Sequence, residues 1–263
     1  MKCREITEYL ENLSPKRYAS NWDNVGLLVG RKDKEVKKVV VALDASKCVV
    51  SEAVKEQADM IVTHHPMIFS SLKKINEDNF VSEKILTLAE NGIAYYAMHT
   101  NFDTVGGMGE LAAGPKYLNL SETEPLIFES DEVDGMGRGG RLPFPMTGEE
   151  VARYVKDKFG LSFIMLYQDE SIRNKKFEKI AILPGSGKSE MEAVRELGYE
   201  VYITGDYGHH PGIDAMDMGM TIIDATHYGL EHIFVSFIAD YLRKKCKGVE
   251  VVELDTGCPF AVI

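Results

Sequence analysis

Twice along this chain a strand, a turn, a helix containing Glu-Ala-Val and a second strand run into a threonine and, shortly after, a pair of histidines. The first stretch is KVVVALDASKCVVSEAVKEQADMIVTHH, residues 38–65; the second is KIAILPGSGKSEMEAVRELGYEVYITGDYGHH, residues 179–210. Strand–helix–strand units of this length join parallel strands, because parallel neighbours need a crossover where a hairpin cannot serve. Two related units facing each other explain the length of the chain. Any two short units of this kind share such features, so a generic likeness is the alternative.

The remaining periodicity agrees with this class. Apolar spacing predicts helices over 3–13, 47–57, 82–91, 149–159, 188–197 and a long amphipathic one over about 227–244. Short β-branched and apolar runs predict strands over 36–43, 59–63, 93–98, 162–167, 177–183, 199–204, 220–224 and 249–254. The expectation is an α/β fold of two similar lobes with mixed, largely parallel sheets. The first lobe spans 1–120, completed by 230–263, and the second spans 121–229. Between them, 121–148 contains GMGRGGRLPFP, with little periodicity, and reads as a lobe boundary or a long functional loop.

Composition narrows the partners. The 263 residues carry a formal net charge of −11, so the average surface repels phosphate backbones and anionic lipid. Neither nucleic acid nor a membrane is an expected partner, although a local basic pocket can still hold a small anion. Cys3, Cys48, Cys246 and Cys258 are scattered with no CxxC pair, which suits a reducing cytoplasm and supports neither a zinc knuckle nor a disulfide framework. The opening MKCREITEYLENL turns polar at once, unlike a signal peptide. No run of about 18 apolar residues is present to make a spanning helix.

Histidine placement carries the chemistry. The seven histidines fall in four places: His64-His65, His99, His209-His210, and His227 with His232. His64-His65 and His99 follow a predicted strand directly, and His209-His210 and His227 follow one closely. In open α/β sheets the carboxyl ends of strands are where ligand sites form. Adjacent side chains at a strand end point to opposite sides, so His64 and His65 suit two different ions better than one. His99 and Asp103 leave the next strand together in HTNFD. His227 and Glu231 stand four apart at a helix start and share a face, with the carboxylate able to bridge two cations. Imidazole and carboxylate donors without thiolate suit two divalent ions of the Zn, Fe, Mn, Co or Ni group. Two such ions about 3.5–4 Å apart would activate water for hydrolysis. His99 is a third-ligand, ligand-supporting or proton-transfer candidate, and with Glu231 it forms the expected catalytic pair. His232 reads as an ordinary core or surface histidine, and His209 and His210 as substrate-side residues.

With WDNVGLLVG (22–30), THHPMIF (63–69), HTNFDTVGGMGE (99–110), PGSGKSE (184–190), ITGDYGHH (203–210) and ATHYGLE (225–231) in order, the sequence resembles the dinuclear metal-binding proteins called GTP cyclohydrolase I type 2, or Nif3-like. The resemblance implies metal ligation by His64, His65, Asp103, His227 and Glu231, with Glu231 bridging, in a centre between two α/β lobes. It also implies a ring-like homohexamer. The chain departs from the family pattern in the stretch after Asp103 and in the ATHYGLE segment, where the His and Glu stay in place. It also lacks the large central insertion of longer relatives.

Two loops bear on a nucleotide. PGSGKS (184–189) fails the Walker pattern, because Ile182 stands where the first glycine belongs, and it reads first as a plain strand-to-helix turn. GMGRGGRL (135–142) sets Arg138 and Arg141 among glycines, either to receive a triphosphate or as a solvated connection. The implied activity is metal-dependent hydrolysis of a small molecule, with opening of the GTP imidazole ring as its specific form. The alternatives are a phosphohydrolase and a non-catalytic protein that senses metal or docks a partner.

Overall fold

A computed structural model describes residues 1–105, 107–128 and 135–263. In chain order its helices are α1 Cys3–Leu13, α2 Lys47–Lys55, α3 Phe80–Glu90, α4 Thr100–Thr104, α5 Met108–Ala113, α6 Gly148–Phe159, α7 Met191–Glu196, α8 His209–Asp217, α9 His227–Glu231 and α10 Ile233–Lys245. The strands are β1 Gly26–Val29, β2 Lys38–Ala42, β3 Met60–Thr63, β4 Ala94–Ala97, β5 Ser121–Glu124, β6 Arg138–Thr147, β7 Met165–Tyr167, β8 Lys176–Ser186, β9 Val201–Gly205, β10 Thr221–Asp224 and β11 Glu250–Glu253. The chain divides into two compact units, Met1–Val105 with Phe234–Ile263, and Gly106–Ile233. The sequence placed these boundaries at 120 and 230; α5 goes with the second unit because it packs on β6 and β8.

The first unit carries a five-stranded sheet in the order β1-β4-β3-β2-β11. The neighbours β4, β3, β2 and β11 are parallel, and β1 runs antiparallel along β4. β3 and β4 are buried along their whole length, as strands covered on both faces must be. Val49, Val50 and Ala53 of α2 and Ile85 and Leu88 of α3 pack on Val40, Ile61 and Tyr95 to form the core. Both helices start where a side-chain oxygen accepts first-turn amides. Ser46 accepts from Val49, and Asn79 from Val81 and Ser82.

The second unit carries a six-stranded sheet in the order β5-β6-β8-β9-β10-β7. Its centre, β8-β9-β10, is parallel, and β5, β6 and β7 pair antiparallel. Ala181, Val194, Tyr202 and Ile222 anchor its core. Among the described residues, no helix is long and apolar enough to cross a membrane.

Three expected elements come out differently. The stretch 121–148 contains β5 and the long β6, where a boundary or loop was expected; its residues 129–134 lie outside the described ones. β6 pairs with β8 from Arg138↔Ile182 to Thr147↔Lys176, with an irregularity between Arg141 and Met146. Pro143 and Pro145 fall in that irregularity, where a missing N–H is tolerated, and this is why the strand pattern was hidden. Residues 188–197 split into a single 3-10 turn, Lys188–Glu190, and α7. The helix expected over 227–244 is broken at His232, whose Nδ1 lies 3.0 Å from the Gly229 carbonyl and 3.3 Å from that of Tyr228. The His232 amide still donates to the Tyr228 carbonyl at 2.9 Å, so the last turn of α9 closes before the chain enters α10 at Ile233.

Candidate metal centre

In the first unit, strand direction gathers the chemistry at one sheet edge. Parallel pairing sets Thr63 of β3 beside Ala97 of β4, so His64-His65 and Met98-His99 emerge side by side. β1 pairs antiparallel, with Gly26 opposite Ala97, which brings the preceding Trp22-Asp23-Asn24 to the same edge. The buried Tyr95 hydroxyl fixes the His64–Met67 turn. It donates to the His65 carbonyl at 2.9 Å and accepts from the Met67 amide at 2.8 Å.

Each histidine there has its Nδ1 against an oxygen. His64 Nδ1 donates to the Met98 carbonyl at 2.9 Å, His65 Nδ1 lies 2.9 Å from Asp44 Oδ1, and His99 Nδ1 lies 3.0 Å from Asp23 Oδ1. Carbonyl and ionised carboxylate oxygens only accept, so Nδ1 carries a proton, and in the neutral ring the lone pair is on Nε2. Ligating histidines are held in this way, their second nitrogen fixed by a carbonyl or carboxylate. Ligand atoms of His64, His65 and His99 lie within 4.8 Å of one another. Asp103, one turn into α4, brings Oδ1 to 3.6 Å from His64 Nε2. His64 is fully buried, whereas His65 and His99 are part-exposed. Burial alone would raise the Asp23 carboxyl. Hydrogen bonds and charge from His99, with hydrogen bonds from Thr100, outweigh it and hold the group down at about 2.

The second unit repeats the arrangement with one histidine. β9 and β10 are parallel, with Thr204 beside Asp224, so Asp206 and His227 follow neighbouring strand ends. His227 Nδ1 lies 3.1 Å from Asp206 Oδ2, and its Nε2 is 3.0 Å from Glu231 Oε2 one helical turn on. Glu231 is buried at 3% exposure. Gly185, at φ +85°, leaves it room: a Cβ there would stand 2.7 Å from Glu231 Oε1. The turn into α9 is strained at Thr226, φ +63° and ψ 155°, a region that β-branched residues avoid. Buried Asp224 secures it, accepting from the Thr226 and Tyr207 amides at 2.9 Å each.

The expected substrate residues are placed as follows. The stretch holding Arg138 and Arg141 is β6 from Arg138 onward. Arg138 is buried and donates to the Gly135 and Gly137 carbonyls; Arg141 is paired with Glu122 and Glu178. His209 and His210 are exposed at the start of α8, with three residues between β9 and His209 and their ring centroids 5.1 Å apart. This separates them from the His64-His65 pair, which leaves its strand directly. His232 stacks on Tyr228 at 5.5 Å. In PGSGKS the Gly187 amide donates to Thr204 Oγ1, and the Gly187 carbonyl accepts from the Tyr202 hydroxyl. Those atoms serve the strand-to-helix turn.

The DUF34/NIF3 (NGG1p interacting factor 3) family model matches residues 1–259. The chain belongs to the DUF34/NIF3 family. It is 33% identical to a GTP cyclohydrolase 1 type 2 homolog of Clostridium perfringens over the full length of both chains. A protein of the same name from Methanocaldococcus jannaschii is 34% identical, covering 97% of this chain and 100% of that one. Among solved structures, reduced HcgD from Methanocaldococcus jannaschii superposes with a TM-score of 0.83 at 32% identity, covering 97% and 98% of the two chains. A Bacillus cereus protein related to NIF3 shares the fold at a TM-score of 0.88 and 24% identity, covering 100% and 99%.

In this DUF34/NIF3 chain the sequence reading missed the carboxylates that hold the imidazoles: Asp23, Asp44 and Asp206. Asp44 and Asp206 stand just past the ends of β2 and β9, so the rule that located the histidines applies to them as well. Asp23 precedes an antiparallel strand, and only pairing with β4 reveals its place.

Proposed function

We propose that this protein is a divalent-metal-dependent hydrolase of a small molecule, its specific reaction being the ring opening of GTP to which its relatives' names point. The observation that carries the reading is the set of three histidines whose Nδ1 atoms are held by oxygen while their ligand atoms lie within 4.8 Å of one another. In this reading His64, His65 and Asp103 of the first unit and His227 and Glu231 of the second would hold two divalent ions of the Zn, Fe, Mn, Co or Ni group. Such ions supply Lewis acidity and neutralise developing negative charge. His99 holds and moves a proton at Nε2, and Asp23 keeps its ring in the tautomer this requires.

The presence of His99 among the clustered nitrogens favours a second reading, a non-catalytic site closed by protein ligands. One experiment separates them. Metal content per chain and formate release from GTP are measured for the parent, His64→Ala and His99→Ala proteins. The hydrolase reading expects His64→Ala to lose metal and His99→Ala to keep metal but lose turnover. Full metal content with no turnover of GTP or other nucleotides by the parent protein would sink the hydrolase reading.

A further inference from the structure

Trp22 is the chain's single tryptophan, and it is 58% exposed; Phe69 beside it is 55% exposed. Their ring centroids lie 5.7 Å apart at 44°, so neither face covers the other. Trp22 also meets His99 edge-on, at 5.8 Å and 74°. Large aromatic surfaces left in water cost free energy, and an idle pair on a surface loop has no reason to be held in place.

This pair is held in place. Asp23, next to Trp22, accepts from the Thr100 amide at 3.0 Å and has its other oxygen against His99. Asn24 donates through Nδ2 to the Ile68 carbonyl at 2.6 Å, tying the loop to the residue before Phe69. Three consecutive side chains therefore divide the work. Asn24 ties the two loops together, Asp23 orients a histidine of the candidate centre, and Trp22 faces outward beside that histidine.

We propose that Trp22 and Phe69 form a stacking platform for a planar heteroaromatic ring, holding the ring at the edge of the His64–His65–His99 cluster. Stacking on fixed aromatic faces accepts any π-surface, which makes the ligand class nucleobase-like rings in general. A sugar phosphate without a base falls outside it. The proposal rests on the hydrolase reading for what happens to the ring afterwards, but the platform itself is tested by binding.

With one tryptophan, emission excited beyond tyrosine absorption reports on Trp22 alone. The metal-loaded full chain is titrated with GTP, guanosine, ribose 5-phosphate and inorganic triphosphate, with turnover followed in parallel. Saturable quenching by GTP and guanosine, and none by the other two, is expected. Phe69→Leu should weaken that binding roughly tenfold or more with metal content unchanged, and Phe69→Tyr should restore it. Equal quenching by inorganic triphosphate overturns the platform. So does turnover of GTP without any change in emission, which leaves the hydrolase reading standing. Quenching by purines without turnover does the reverse: the platform stands and the hydrolase reading falls. Emission that responds to protein dilution and to none of the four compounds assigns the face to contact between copies, and overturns the proposal.

Discussion

Asp23 Oδ1 lies 3.0 Å from His99 Nδ1, although the two residues are 76 positions apart in the chain. The carboxylate is withdrawn from solvent, and its other oxygen accepts from the Thr100 amide and hydroxyl. An ionised acceptor in this position fixes both the ring plane and the nitrogen that carries the proton. Supporting carboxylates of this kind typically change metal affinity or activity by about 10–100-fold when removed. Asp23→Asn should therefore lower turnover or metal affinity by that order, with far-ultraviolet circular dichroism unchanged. If titration with metal and turnover both match the parent, Asp23 holds only the loop.

A second carboxylate ties pH to stability away from the candidate centre. Asp59 precedes β3, accepts from the Lys37 and Lys38 amides at 2.8 and 3.1 Å, and pairs with Lys34 at 3.0 Å. Burial pushes its carboxyl up, but the hydrogen bonds from Lys37, Lys34 and Lys38 win, and the net shift is downward. A group depressed on folding contributes stability that is present above its unfolded value, about 4, and lost as pH falls through the folded one. Urea unfolding should therefore show stability declining below about pH 4. Asp59→Asn, which has no proton to take up, should show a shallower acid limb and lower stability at neutral pH.

Gly185 and Gly198 make a matched pair. Their φ angles are +85° and +86°, but a Cβ at Gly185 meets Glu231 while one at Gly198 meets nothing within 4 Å. Both Gly→Ala changes should cost about 1 kcal/mol or more for the backbone alone. Only Gly185→Ala should displace the Glu231 carboxylate. Isothermal titration with Mn or Zn should then show weaker binding for Gly185→Ala and parent-like binding for Gly198→Ala. Equal affinities would mean that Glu231 takes no part in holding metal.

The ligand candidates were legible because strand ends and histidines coincide in a linear pattern, as in Thr63-His64-His65 and His99 through Asp103. Strand–helix alternation likewise exposed most of both sheets. What stayed hidden depends on pairing across the chain. β6 was masked by Pro143, Pro145 and its glycines, and the role of Asp23 exists only because β1 folds back along β4. The break at His232 was invisible for another reason. Its ring nitrogen lies 3.0 Å from the Gly229 carbonyl and 3.3 Å from that of Tyr228, a local geometry that apolar spacing does not encode.

Thr226 offers the sharpest separation of stability from function. Its φ of +63° with ψ of 155° is accessible mainly to glycine, and the residue immediately precedes His227. Its Oγ1 accepts from the Gly229 amide at 3.0 Å, which caps α9. Thr226→Ala removes the cap and keeps the strain. Thr226→Gly removes the cap, for which glycine costs only a few tenths of a kcal/mol, and releases the strain. The Gly variant should exceed the Ala variant in stability by about 1–3 kcal/mol in urea unfolding. Metal affinity should move the other way, because the turn that aims His227 at Glu231 loses its rigidity when glycine frees it. Ala and Gly variants of equal stability would show that no strain is stored at this turn.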